Sequence, residues 1–222
     1  MTSSEIPRLY AIADRACFPD AAALYRFIEE LLAAGVTLLQ YRNKQGSGRE
    51  MLQEAREIRR IVPRIRSETW SGNVGHPDAG HPMLIMNDRA DLALAADFDG
   101  VHVGQEDLSP AAVRDLIGPD RWLGVSTHNP EQLAWADKTD ANYLAIGPVF
   151  ATGSKQNPDP IIGLDGVRRA RQFTRKPLVA IGGITCQRAP EVIAAGADSV
   201  AVISALVRDP RRTASEFLSQ LT

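Results

Sequence analysis

The sequence predicts a closed (β/α)8 barrel, the TIM-barrel architecture, and three observations carry the prediction. Eight short apolar runs recur along the 222 residues, each followed by a segment of helical spacing or by a loop and then such a segment. The runs are almost continuously apolar instead of alternating, as in parallel strands covered on both faces. Several end abruptly in polar or small residues, and the C-terminal ends of the strands are where barrels of this class carry their chemistry. A doubly wound open sheet is the alternative arrangement. The expected organisation is one domain over residues 1–222, with 67–81 a surface insertion.

Residues 8–13 form the first expected strand, ending at Asp14. Asp20 is placed to cap a helix whose apolar positions Leu24, Phe27, Ile28, Leu31 and Leu32 fall on one face, and Gly35 ends it. The second strand is read over 36–40 and a second amphipathic helix over 49–61, stopped near Pro63. Residues 67–81, rich in Gly, Pro, His and Asn, interrupt the alternation before a strand over 83–86. Helices over 91–96, 110–117, 131–138, 164–173, 189–195 and 213–221 then alternate with strands over 100–103, 122–125, 143–146, 178–181 and 199–203. Residues 150–163 make a long polar loop.

Composition sets outer bounds on function. The chain is 44% hydrophobic and 23% charged, ordinary for a globular protein, and its formal net charge of −2 gives no field that would attract nucleic acid. Cys17 and Cys186 lack metal-ligand spacing and read as reduced thiols. The first residues carry no signal-peptide pattern, and no apolar run approaches the ~18 residues of a membrane span. The expectation is a cytoplasmic protein acting on small molecules, with no nucleic acid or membrane as partner. Assembly into a homo-oligomer stays open.

Gln40, Arg42 and Lys44, at alternate positions after the second apolar run, are expected to share one face of an extended segment. Two cations and an amide donor aimed at one point suit a polyanion such as pyrophosphate. Asp88, just past the third strand, by itself reads as a cap for the helix beginning near Arg89. Asp107 follows the fourth strand, and two carboxylates on adjacent loops suit Mg²⁺, which takes one or two protein carboxylates together with substrate oxygens and water. Glu106 is the weaker metal candidate, and His102, between Val101 and Val103, reads as a barrel-interior histidine.

Ser126 ends the fifth strand without the Gly-x-Ser-x-Gly context of a nucleophile, so it is expected to donate a hydrogen bond to substrate or phosphate. His128 beside it is either a helix cap or a minor participant. After the sixth strand, Thr152, Gly153, Ser154 and Lys155 combine hydroxyls, a glycine and a cation on a loop long enough for a lid. Gly182 and Gly183 after the seventh strand and Ser204 after the eighth stand where barrels of this kind hold phosphate.

Taken together, Gln40-Tyr41-Arg42-Asn43-Lys44, Asn87-Asp88-Arg89, residues 102–107, residues 124–128, residues 147–150 with 152–155, Gly182-Gly183-Ile184 and Val202-Ile203-Ser204 resemble the thiamine phosphate synthase family. The resemblance covers nearly the whole chain. It implies transfer of a pyrimidinylmethyl group from a hydroxymethylpyrimidine diphosphate to the nitrogen of a thiazole phosphate, giving thiamine monophosphate and pyrophosphate. It also implies roles: Gln40, Arg42, Lys44 and Asn87 on the pyrimidine diphosphate, with Tyr41 and Asn43 in the same substrate-binding segment. Asp88 and Asp107 would hold Mg²⁺, and Ser126 and Lys155 would complete the pyrophosphate site. Thr152, Gly153, Ser154, Gly183, Ile203 and Ser204 would hold the thiazole phosphate. Arg42, Lys44, Ser126 and Lys155 are the implied catalytic groups. Ser154 stands where the family usually has a second threonine. A TenI-like protein that isomerises or only binds a thiazole phosphate, and a phosphate-binding barrel of another class, are the competing readings.

Overall fold

The computed structural model describes residues 6–62, 82–153 and 159–221, so the expected insertion at 67–81 lies outside the described residues. Eight strands close into one parallel barrel in chain order: β1 (Leu9–Asp14), β2 (Leu38–Arg42), β3 (Met83–Asn87), β4 (Gly100–Val103), β5 (Trp122–Thr127), β6 (Tyr143–Ile146), β7 (Leu178–Ile181) and β8 (Ser199–Val202). The eight pairings include β1 with β8, which excludes the open sheet. The helices are α1 (Ala21–Ala33), α2 (Gly48–Ile61), α3 (Ala90–Ala95), α4 (Pro110–Ile117), α5 (Pro130–Asp137), α6 (Gly163–Phe173), α7 (Ala189–Ala194) and α8 (Pro210–Gln220).

Local chemistry sets the helix starts. Asp20 accepts from Ala23 N at 2.7 Å at the head of α1. Ser47 and Glu50 form a reciprocal capping box for α2, so the helix expected from 49 begins at Gly48. Pro110 and Pro130 open α4 and α5 behind the caps Ser109 and Asn129, where a missing N–H costs nothing.

The expected second strand is displaced by two residues. Val36 N donates to Leu31 O at 3.1 Å, which ties Val36 back to the last turn of α1, and β2 extends instead to Arg42, paired with Asp14. Lys44 therefore lies beyond the strand. β5 likewise runs on through Ser126 and Thr127, because Ser126 pairs with Ala145 and Thr127 with Ile146.

One face of each strand packs outward against the helices, and the other fills the barrel. The interior holds Tyr10, Ile12, Leu38, Met83, Ile85, Trp122, Tyr143, Ala145, Val179 and Ala201. Gly100 and Gly124 make room for the large members of this set. A Cβ on Gly124 would stand 2.1 Å from Tyr143 Cζ, and one on Gly100 would stand 2.4 Å from the Trp122 carbonyl. The interior is thus packed below and polar above, toward the strand ends.

Candidate active site

A cavity of about 1090 Å³ opens over the C-terminal ends of the strands. Gln40, Arg42, Lys44, Asn87, Asp88, Asp107, Ser126, Thr152, Gly153, Gly183, Ile203 and Ser204 all line it, so residues far apart in the chain meet in one space. Ser154 and Lys155 lie outside the described residues.

Tyr41 and Asn43, expected with the substrate-binding segment, do not line the cavity. The pleat turns Tyr41 outward, where its hydroxyl donates to Glu54 of α2. Asn43 Nδ2 donates to Glu54 Oε2 at 3.2 Å, and its Oδ1 accepts from Gln45 N at 3.1 Å and Gly46 N at 2.8 Å. These two residues hold the chain that carries Lys44. Glu54 is nearly buried and also accepts from Arg15 Nε at 2.9 Å, tying the loop after β1 to the loop after β2.

Each cation after β2 meets a carboxylate. Arg42 Nη1 pairs with Asp14 Oδ2, and Lys44 Nζ pairs with Asp88 Oδ2. Asp88 adopts φ 61°, a left-handed conformation that Asp tolerates better than most residues, and this turns its carboxylate into the mouth. The helix-cap reading of Asp88 does not hold, since α3 has no side-chain cap. Burial pushes the Asp88 carboxyl above its ordinary range; Lys44 pulls it down, and the hydrogen-bonded neighbour Asp107 raises it again. Asp107 Oδ2 also accepts from Gly104 N at 2.8 Å.

Two carboxylates in mutual contact repel unless a proton or cation lies between them, so the pair suits a hard divalent ion. Next to them, Asn87 Nδ2 is buried with no hydrogen-bond partner among the described residues, although the residue lines the cavity. A buried donor in that state costs roughly 1–3 kcal/mol, which an anionic ligand would recover.

The floor is a hydrogen-bonded chain that the sequence did not reveal. Gln40 Nε2 donates to Tyr10 Oη at 2.8 Å, Tyr10 and Tyr143 hydroxyls are 2.9 Å apart, and Tyr143 Oη lies 3.0 Å from His102 Nδ1. His102 Nε2 then reaches Ser126 Oγ at 2.7 Å. Complete burial pushes the His102 imidazole down to about 4, so it is neutral at physiological pH. Tyrosines at inward positions of β1 and β6 were the available signal. His128 does not cap α5, a role taken by Asn129; its Nδ1 lies 2.7 Å from Gly147 O and 3.4 Å from Asp159 Oδ2.

On the opposite side, Gly182 and Gly183 have φ 106° and 61°, and a Cβ on Gly183 would stand 2.4 Å from Ala151 O. Only glycine fits so close an approach of the loops after β6 and β7. Ser204 opens a 3₁₀ turn directly after β8. Cations and carboxylates therefore gather around β2 to β4, and small residues and hydroxyls around β6 to β8.

Comparison with known proteins gives the family. The sequence model of the thiamine monophosphate synthase family matches residues 9–70 and 74–206. The chain is 57% identical over 220 residues to the thiamine-phosphate synthase of Koribacter versatilis, covering 98% of this chain and 97% of that protein. It is 44% identical over 200 residues to the thiamine-phosphate synthase of Chloroflexus aurantiacus, covering 90% of this chain and 85% of that one. Among solved structures, the thiamine phosphate pyrophosphorylase of Pyrococcus furiosus superposes with a TM-score of 0.79 at 32% identity, covering 96% of this chain and 95% of its own. A 3-hexulose-6-phosphate synthase superposes with a TM-score of 0.65 at 17% identity over 97% of this chain and 100% of its own, a likeness of fold alone. With the match to the family model and these relatives spanning almost its full length, the chain belongs to the thiamine monophosphate synthase family.

Proposed function

We infer that the chain is a thiamine phosphate synthase, a transferase that joins a hydroxymethylpyrimidine diphosphate to a thiazole phosphate and releases pyrophosphate. The observation that carries this reading is the two-sided cavity: a carboxylate pair and two cations on one side, a glycine-lined anion cradle on the other, and a neutral aromatic floor between them.

The proposed division of labour follows from the chemistry of each side. The floor of Tyr10, Gln40, His102 and Tyr143 offers flat surfaces and neutral hydrogen-bonding groups that match a heteroaromatic ring. The bond that breaks joins the pyrimidine methylene to a diphosphate oxygen, and negative charge develops on that oxygen as the methylene becomes cationic. Arg42, Lys44, Asn87 and the Ser126 hydroxyl would donate where this charge appears, with Lys155 added on sequence grounds. A unit-charge pair at ~4 Å is worth roughly 4 kcal/mol at an effective protein dielectric near 20. Several such contacts, heavily discounted, reach the ~8 kcal/mol behind a millionfold acceleration.

Asp88 and Asp107 are the residues proposed to hold Mg²⁺, which when bound supplies charge neutralisation to the departing diphosphate. Lys44, already paired with Asp88, stands on the same group. Thr152, Gly153, Gly183, Ile203 and Ser204, with Ser154, are proposed to grip the thiazole phosphate, so that the ring nitrogen is held facing the methylene. That nitrogen carries no proton to lose, so no general base is required. A TenI-like activity is disfavoured by the retained cations and carboxylates around β2 to β4.

A cytoplasmic location is part of the proposal, supported by two free thiols, and no helix among the described residues is long and apolar enough to cross a membrane. The test mixes both substrates with Mg²⁺ and measures thiamine phosphate and pyrophosphate. Equimolar formation of the two, abolished by a chelator and restored by Mg²⁺, is the expected result. Conversion of the thiazole phosphate alone, with no coupled product, would replace this reading with the isomerase one.

A further inference from the structure

Three cationic side chains among the described residues line the cavity: Arg42, Lys44 and Arg188. The first two are neutralised by Asp14 and Asp88. Arg188 has no carboxylate or hydrogen-bonding partner for its guanidinium among the described residues. It is held instead by an aromatic ring, with its guanidinium carbon 4.5 Å from the Phe150 ring centroid.

The position of that ring fixes where the charge is delivered. Phe150 abuts Gly183, since a Cβ on Gly183 would stand 2.9 Å from Phe150 Cβ. The guanidinium therefore sits over the junction of the loops after β6 and β7, the side of the cavity with Gly183 and Ser204. A guanidinium carries five N–H donors, and contact with an aromatic ring uses none of them in a hydrogen bond to a carboxylate or carbonyl. A phosphate monoester carries about −1.5 to −2 charge near neutral pH, and among the described residues the glycine loops and hydroxyls on this side supply only neutral donors. An unspent cation is what such a site lacks.

We propose that Arg188 binds the phosphate of the second substrate and sets the affinity for it. The inference deepens the synthase reading and rests on it for the identity of that phosphate. Phe150 is the positioning residue, acting by holding the guanidinium at the cavity edge. Arg188 follows β7 and not the β2 to β4 segments assigned to the diphosphate, so its assigned part is capture of the second substrate and not the chemical step.

The test compares wild type with Arg188→Gln, Arg188→Lys and Phe150→Leu, varying each substrate in turn. Arg188→Gln raises KM for the thiazole phosphate by about 10-fold or more, the loss expected for one charge-assisted contact. It leaves KM for the pyrimidine diphosphate and kcat within about 2-fold of wild type, while Arg188→Lys recovers part of the loss and Phe150→Leu loses a smaller part. With the dephosphorylated thiazole alcohol, wild type and Arg188→Gln behave alike. Unchanged KM values, or both rising together with a lowered Tm, would mean that Arg188 only packs on Phe150 and would overturn the proposal. An effect confined to a thiazole phosphate bearing a ring carboxylate would also overturn it, assigning Arg188 to the carboxylate. Calorimetric binding of the thiazole phosphate to wild type and Arg188→Gln decides the point separately, because it reads the contact even if no coupled product forms.

Discussion

His102 Nε2 lies 2.7 Å from Ser126 Oγ, and the other ring nitrogen lies 3.0 Å from the Tyr143 hydroxyl. A neutral imidazole carries one proton, so one nitrogen donates and the other accepts, and the ring joins Tyr143 and Ser126 in one continuous hydrogen-bonded run.

That neutrality has a pH signature. The folded imidazole is pushed down to about 4 from an ordinary 6.5, so between these values the unfolded chain binds a proton that the folded one does not. Stability therefore falls as pH drops from 6.5 toward 4, by up to roughly 3 kcal/mol. Urea unfolding of wild type and His102→Gln across this range isolates the contribution. The expected result is a shallower acid slope in the variant; equal slopes would mean that His102 titrates normally.

Glu54 holds Tyr41, Asn43 and Arg15 together behind the loop that carries Lys44. Glu54→Gln keeps the shape and removes the charge that Arg15 faces, at a cost of about 1–3 kcal/mol of stability. KM for the pyrimidine diphosphate is expected to rise by about 10-fold, with KM for the thiazole phosphate unchanged. Both constants are read from one steady-state series.

Gly124→Ala puts a methyl 2.1 Å from Tyr143 Cζ and 2.5 Å from His102 Nδ1. Neither ring has room to retreat inside a filled barrel, so the expected loss is at least ~1–3 kcal/mol, measured as a lowered Tm. Gly153→Ala, where a Cβ meets nothing within 4 Å among the described residues, is the control and leaves Tm unchanged.

Asp88→Asn and Asp107→Asn each remove one member of the carboxylate pair. Activity is expected to fall by about 100-fold or more, with a raised Mg²⁺ requirement in whichever variant retains measurable turnover. Product that persists undiminished in the double variant would reject the assignment of these residues to the metal.

The barrel was legible because burial on both faces leaves an apolar signature at every strand, and Asp20, Pro110 and Gly35 punctuate it. Strand ends were less so. β2 ran two residues past its expected end at 40 because pairing with Asp14 extends it, and pairing across a barrel is not a local property. The cavity residues legible in sequence were those whose chemistry is local to a strand end, such as Arg42, Asp88 and Gly183. Tyr41, expected in the substrate-binding segment, instead faces its partner Glu54, which is 13 residues away and on a helix. The Tyr10–Tyr143–His102 chain joins three strands, and no spacing within one segment encodes it.

The central claim is that one cavity binds two anions at opposite sides and couples what they carry. Its most direct measurement is a steady-state assay of thiamine phosphate formation with each substrate varied, on wild type, Arg42→Gln and Ser204→Ala. The account predicts coupled product from wild type, a KM increase for the pyrimidine diphosphate alone in Arg42→Gln, and one for the thiazole phosphate alone in Ser204→Ala. No coupled product from wild type with Mg²⁺ and both substrates present would contradict it.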